Sequence, residues 1–152
     1  MKILLAACNA KYIHSNLAVY SLKAYVKKYQ NQIGLAEYTI NQNPDDILKG
    51  IYRDHPEVLC ISCYIWNISY VKNLIREVHK VLPDTAIWLG GPEVSYDAEA
   101  FLMKYPKVRG VMRGEGETVF PALASLYIEG TGSFQTIAGI TYRNDHGELQ
   151  IN

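Results

Sequence analysis

A chain of 152 residues is long enough for one domain with a proper core and too short for two comfortable ones. Its 15 basic residues balance 15 acidic ones, which excludes the electrostatic footprint of a nucleic-acid binder, and 49% hydrophobic content argues against disorder. No apolar segment approaches a membrane span, and the start MKILLAACNAK turns polar too quickly for a signal peptide, so a cytoplasmic protein without a membrane partner is expected.

Residues 2–8 read as a first strand, apolar on both faces. Residues 9–15 are then a loop, and Ser15 or Asn16 can cap a helix reaching about residue 29. Leu17, Tyr20, Leu22, Ala24, Tyr25 and Val26 would supply that helix's broad apolar face. Residues 35–40 alternate and suggest an edge strand. Pro44 followed by Asp45 and Asp46 is a good helix start, with Ile47, Leu48, Ile51 and Tyr52 as the buried face.

Residues 58–67, VLCISCYIWN, open as a strand buried between two helical layers and end in an aromatic, polar-tipped loop. Val71, Leu74, Ile75, Val78 and Leu82 recur at helical spacing over residues 69–82, and Pro83 stops that helix. Residues 85–89 form a fourth strand delivering Gly90, Gly91, Pro92 and Glu93. A helix over 97–105 and a strand over 108–112 follow. Gly114, Glu115, Gly116 and Glu117 then open a helix that continues to about residue 128. Residues 137–142 and 148–151 read as a hairpin.

Strands alternating with helices imply βαβ units and a parallel sheet. The expected fold is α/β: a Rossmann-like, flavodoxin-like three-layer sandwich with a five-stranded parallel sheet, order 2-1-3-4-5, and a C-terminal β-hairpin. In that order four loops share one rim: 9–15, 64–67, 90–95 and 114–117. Adjacent glycines let a ligand approach the backbone, although Gly90 and Gly91 also suit a plain tight turn. Glu115 and Glu117 oppose an anion at the helix start and can equally be capping residues. Neither GxGxxG nor GxxxxGK[ST] is present.

Cys60 and Cys63 spell C-x-x-C, but residues three apart on a strand point to opposite faces and cannot readily clamp one metal ion. Cys8 and Cys63, at neighbouring strand tips, could instead lie together under a ligand. An odd total of three cysteines on apolar stretches is not a disulfide framework. His14 is the one histidine in a rim loop, open to a ligand role or to an ordinary backbone hydrogen bond. No catalytic dyad, triad or zinc cluster stands out.

At these loops the chain resembles a known family. NAKYIHSNLA after the first strand, SCYIWN after the third, GGPEVSYD after the fourth and RGEGE after the fifth are similar to the N-terminal cobalamin (B12)-binding domain of B12-dependent radical SAM proteins. The resemblance covers nearly the whole of 1–152 and implies a cobalamin-binding domain excised from a longer chain. A radical SAM domain would follow in cis, with S-adenosylmethionine and a [4Fe-4S] cluster. It implies methyl transfer or related radical chemistry in the full protein, on a substrate the sequence does not identify, and no catalysis by this part alone.

Carried over by position, the cofactor-binding residues implied are Asn9, Tyr12, His14 and Ser15 in the first loop, and Ser62, Tyr64, Trp66 and Asn67 in the second. Gly90, Gly91, Pro92 and Glu93 follow in the third, and Gly114, Glu115 and Gly116 in the fourth. Two departures from related patterns matter. The D-x-H-x-x-G signature, whose histidine ligates cobalt, is absent, which leaves His14 as the one candidate in the corresponding loop. The C-x-x-x-C-x-x-C iron–sulfur motif is absent as well. The alternative is a flavodoxin-like FMN or nucleotide binder, but the first loop supplies few of the Ser, Thr and amide groups a phosphate needs. A receiver-type interaction domain would want acids where Cys8, Asn9 and Cys63 stand.

Overall fold

A computed structural model describes residues 2–11 and 15–152. Strands β1 (Ile3–Asn9), β2 (Ile33–Thr39), β3 (Val58–Ser62), β4 (Ala86–Gly90) and β5 (Val108–Met112) run parallel, and β6 (Ile140–Arg143) and β7 (Leu149–Ile151) add antiparallel beyond β5. The sheet order is β2-β1-β3-β4-β5-β6-β7, so the expected 2-1-3-4-5 order holds and the hairpin extends the same sheet. Every residue of β1 is buried, as a strand covered on both faces requires.

Alternation along the central strands divides the interior into two cores. Leu4, Ala6, Leu59, Ile61 and Leu89 face α2 (Pro44–Asp54), α3 (Ile68–Val81), α4 (Pro92–Ser95) and α5 (Ala98–Lys104). Ile3, Leu5, Cys60 and Trp88 face α1 (Leu17–Tyr25) and α6 (Gly116–Glu129). Trp88 lies against Gly110, where a Cβ would come within 2.5 Å of the indole, and its ring N–H donates to the Tyr127 hydroxyl at 2.8 Å.

The structure corrects several local expectations. Helix α1 ends at Tyr25, and residues 27–32 tighten into a 3-10 turn. Val19 is buried and Leu22 half-buried on the inner side of α1, with Val26 buried just past its end, while Leu17, Tyr20, Ala24 and Tyr25 face outward. A helix that is apolar nearly all round does not announce which side meets the sheet. Tyr52 is likewise exposed on α2. The short helix α4 begins directly after the glycine corner, where the sequence suggested a turn. Residues 137–139 precede β6 rather than belonging to it.

Candidate functional site

The C-terminal ends of β1, β3, β4 and β5 lie on one margin of the sheet, and the loops that follow β3, β4 and β5 meet there. The second and third loops are tied directly together: the Cys63 N–H donates to the Gly90 carbonyl at 2.7 Å, and the Glu93 N–H donates to the Cys63 carbonyl at 3.4 Å. Gly91 makes this possible. Its φ of +105° belongs to glycine, and any Cβ there would collide with the Cys63 carbonyl oxygen. Gly114 also has positive φ, at +72°, with open space where a Cβ would stand.

Beneath this rim a cavity of about 580 Å³ runs between the sheet and helix α1. Leu5, Val19, Leu22 and Met112 form its apolar floor and side; Gly90, Gly91 and Pro92 form one lip, and residues 114–117 the other. Ser62 and Tyr64 are its polar points on β3 and the following loop. Burial, with Cys63 and Glu117 adding, pushes the Tyr64 phenol up, so it keeps its proton and can donate. Among the described residues no Lys or Arg lines the cavity, and Glu115 and Glu117 stand at its mouth.

Eight of the expected residues meet at this cavity: Ser62, Tyr64, Gly90, Gly91, Pro92, Gly114, Glu115 and Gly116. Others do not line it. Asn67 is fully buried and acts as a clamp: its amide donates to the Cys8 and Ser62 carbonyls at 3.1 and 3.0 Å, and its oxygen accepts from the Tyr64 N–H at 2.8 Å. Trp66 stacks on Tyr64 with centroids 4.5 Å apart and rings nearly parallel, which buttresses the cavity-lining ring from outside. Asn9 donates to Glu37 at 3.1 Å, while Ser15 and Glu93 are exposed. Tyr12 and His14, and with them cobalt ligation by His14, lie outside the described residues.

Sequence reasoning missed the cavity's helical wall, Ala18, Val19 and Leu22, and its floor at Met112. A signal existed in the small Ala18 beside Asn16, at the start of the helix that follows the first loop. It also missed Glu37, which accepts hydrogen bonds from Asn9, the Asn16 N–H and Tyr20. Burial pushes the Glu37 carboxyl up, but these bonds outweigh it and hold the group below the usual carboxylate range.

The cysteines divide as strand geometry requires: Cys60 belongs to the α1/α6 core, whereas Cys8 and Cys63 belong to the α2/α3 core, turned away from the cavity. Cys8 and Cys63 therefore do not sit under a ligand held in the cavity. Burial pushes Cys8 up to about 11 and Cys60 to about 12, and raises Cys63 as well. Protonated thiols of this kind pack as small apolar groups.

A family model described as "B12 binding domain" matches residues 3–124. The chain belongs to the B12-binding domain family. Among curated relatives, the cobalamin-dependent radical SAM methyltransferase TokK of Streptomyces tokunonensis is 30% identical over 88 residues, covering 58% of this chain and 13% of that protein. The 2-(S-pantetheinyl)-carbapenam-3-carboxylate methyltransferase of Streptantibioticus cattleyicolor is 30% identical over 89 residues, 59% of this chain and 13% of that protein. This B12-binding domain thus spans about an eighth of the length of the curated relatives it matches.

Its fold matches that in the cobalamin-dependent S-adenosylmethionine radical enzyme OxsB. With aqua-cobalamin and S-adenosylmethionine bound, OxsB superposes at a TM-score of 0.80 and 17% identity, over 99% of this chain and 22% of that one. With aqua-cobalamin alone the TM-score is 0.79 at 19% identity. The chain is a cobalamin-binding module, and a flavodoxin-like FMN role is not favoured. Among the described residues no helix is long and apolar enough to cross a membrane.

Proposed function

We propose that the cavity between β1, β3 and α1 is where this domain holds its cobalamin, and the observation that carries this is its chemistry. A mostly apolar slot with a glycine lip suits a large, largely neutral corrinoid held by shape and backbone contacts. Carboxylates at the mouth, with no lining Lys or Arg among the described residues, oppose the doubly charged phosphate of FMN. About 580 Å³ would accommodate part of so large a cofactor, with the rest held over the rim residues.

Ser62 and Tyr64 would donate to acceptor atoms of the cofactor, Gly90 and Gly91 would let the backbone come close, and residues 114–116 would close the far side. When bound, cobalamin supplies a cobalt centre able to carry a methyl group. The protein's part is to orient that group and keep water from its buried end.

The relatives' names support a longer protein in which a radical SAM domain follows in cis, with S-adenosylmethionine and a [4Fe-4S] cluster, performing methyl transfer or related radical chemistry on a substrate bound largely outside this domain. Unpaired buried thiols support a cytoplasmic setting.

The chain incubated with hydroxocobalamin and desalted should retain the visible corrin bands. Ala18→Phe, which places a ring in the cavity from the half-buried, cavity-lining face of α1, should lose them while keeping its far-ultraviolet dichroism. Retention of FMN in place of cobalamin, or full cobalamin retention by Ala18→Phe, would overturn the assignment.

A further inference from the structure

On β2, Ile33, Leu35 and Glu37 point to the same side of the sheet, and the first two pack into the α1/α6 core. A carboxylate in the third position pays a desolvation penalty that an apolar residue would not. Its partners show what that charge does. Oε1 accepts from the Asn9 amide at 3.1 Å and from the Asn16 backbone N–H at 2.7 Å, while Oε2 accepts from the Tyr20 hydroxyl at 2.7 Å. Asn9 ends β1 and Asn16 precedes α1, so one oxygen staples both ends of the first loop.

Asn16 carries the constraint onward. Its Oδ1 caps α1 by accepting from the Ala18 N–H at 3.1 Å, and its Nδ2 donates to the Ser62 Oγ at 3.2 Å. With that donor occupying an acceptor site of Ser62, and no acceptor for Ser62 among the described residues, the hydroxyl proton is left free to donate to a ligand. Capping α1 requires only Asn16. A charged partner reaching in from a third strand fixes where Asn16 stands, and therefore which way Ser62 donates.

We propose that Glu37 is a positioning residue for the cofactor cavity, holding Asn16 and, through it, the Ser62 hydroxyl in the orientation the cofactor meets. This rests on reading the cavity as the cobalamin site. Glu37 itself does not line the cavity. Its effect is indirect.

The test uses this chain with Glu37→Gln and Glu37→Ala, each with and without Ser62→Ala. Two quantities are read: the hydroxocobalamin dissociation constant from absorbance titration, and amide hydrogen exchange at Asn16, which needs no ligand. Loss of a charge-assisted contact predicts binding weakened about tenfold for Glu37→Ala, with Glu37→Gln in between because its amide oxygen can still accept from Asn9 and Asn16 but without the charge. Exchange at Asn16 should accelerate in the same order. With Ser62→Ala already present, Glu37→Gln should weaken binding little further, since the group it positions is gone.

Unchanged exchange at Asn16 in both variants, or equal weakening with and without Ser62, overturns the proposal. A wild-type chain that binds no cobalamin overturns the cavity reading instead, and the exchange readout still decides whether Glu37 holds Asn16. Should Glu37→Ala fail to fold, the near-isosteric Glu37→Gln carries the comparison.

Discussion

At Gly90 and Gly91 two neighbouring residues of one type do different work. Gly91 sits at φ +105° and ψ 170°, a region open essentially to glycine, with the Cys63 carbonyl where a side chain would begin. Gly90 has an ordinary φ, and the nearest atom to its would-be Cβ is the Met112 methyl at 3.7 Å. Gly91→Ala should therefore destabilise the domain by about 3 kcal/mol or more, combining backbone strain with a clash against fixed backbone. Gly90→Ala should shift stability by less than about 1 kcal/mol and act mainly by narrowing the cavity lip. Urea unfolding of the two variants separates these cases, and equal losses would refute the distinction. From the sequence both glycines looked alike, because the difference lies in a contact with the loop after β3, about thirty residues earlier, at Cys63.

The loop after β3 shows how an element can be legible in place and misread in role. Its aromatic and amide residues marked it as part of a rim, and it is. Yet Asn67 spends both amide protons on the carbonyls of Cys8 and Ser62 and its oxygen on Tyr64, so it ties the β1 and β3 ends to the loop without lining the cavity. Asn67→Asp keeps the size but replaces two donors with acceptors aimed at two carbonyls, whereas Asn67→Ala removes all three bonds. Both should lose at least about 2 kcal/mol, and the aspartate should be the worse of the two at neutral pH. Thermal melting ranks them, and an aspartate as stable as the wild type would show that the donors do not matter. Helix α1 failed in the opposite way: its position was readable from Asn16, but its phase was not, since Leu17, Val19, Tyr20 and Leu22 all offer apolar surface and only the sheet chooses among them.

At the scale of the whole molecule the strand order was readable because runs buried on both faces alternate with amphipathic helices, and chain handedness leaves few ways to wind them. The cavity was not readable, because it exists where the α1 side of the sheet is incompletely filled, and that depends on how α1 and α6 settle against β1, β3 and β5. The cavity opens on the α1/α6 side of the sheet, at its C-terminal margin. An apolar cavity forgoes dispersion contacts that a fitting guest restores, so cobalamin should stabilise the folded chain. Binding to the folded state alone contributes about 2.7 kcal/mol at a hundredfold excess over the dissociation constant. For a domain of this size that raises the melting temperature by about 5 to 10 °C, increasing with the logarithm of cobalamin concentration. Ala18→Phe should abolish the shift and, with the cavity filled from within, melt no lower than the ligand-free wild type. A melting temperature indifferent to cobalamin that is nevertheless retained on desalting would mean that the guest sits on surface already exposed in the unfolded chain, and the cavity would lose its claim to be the site.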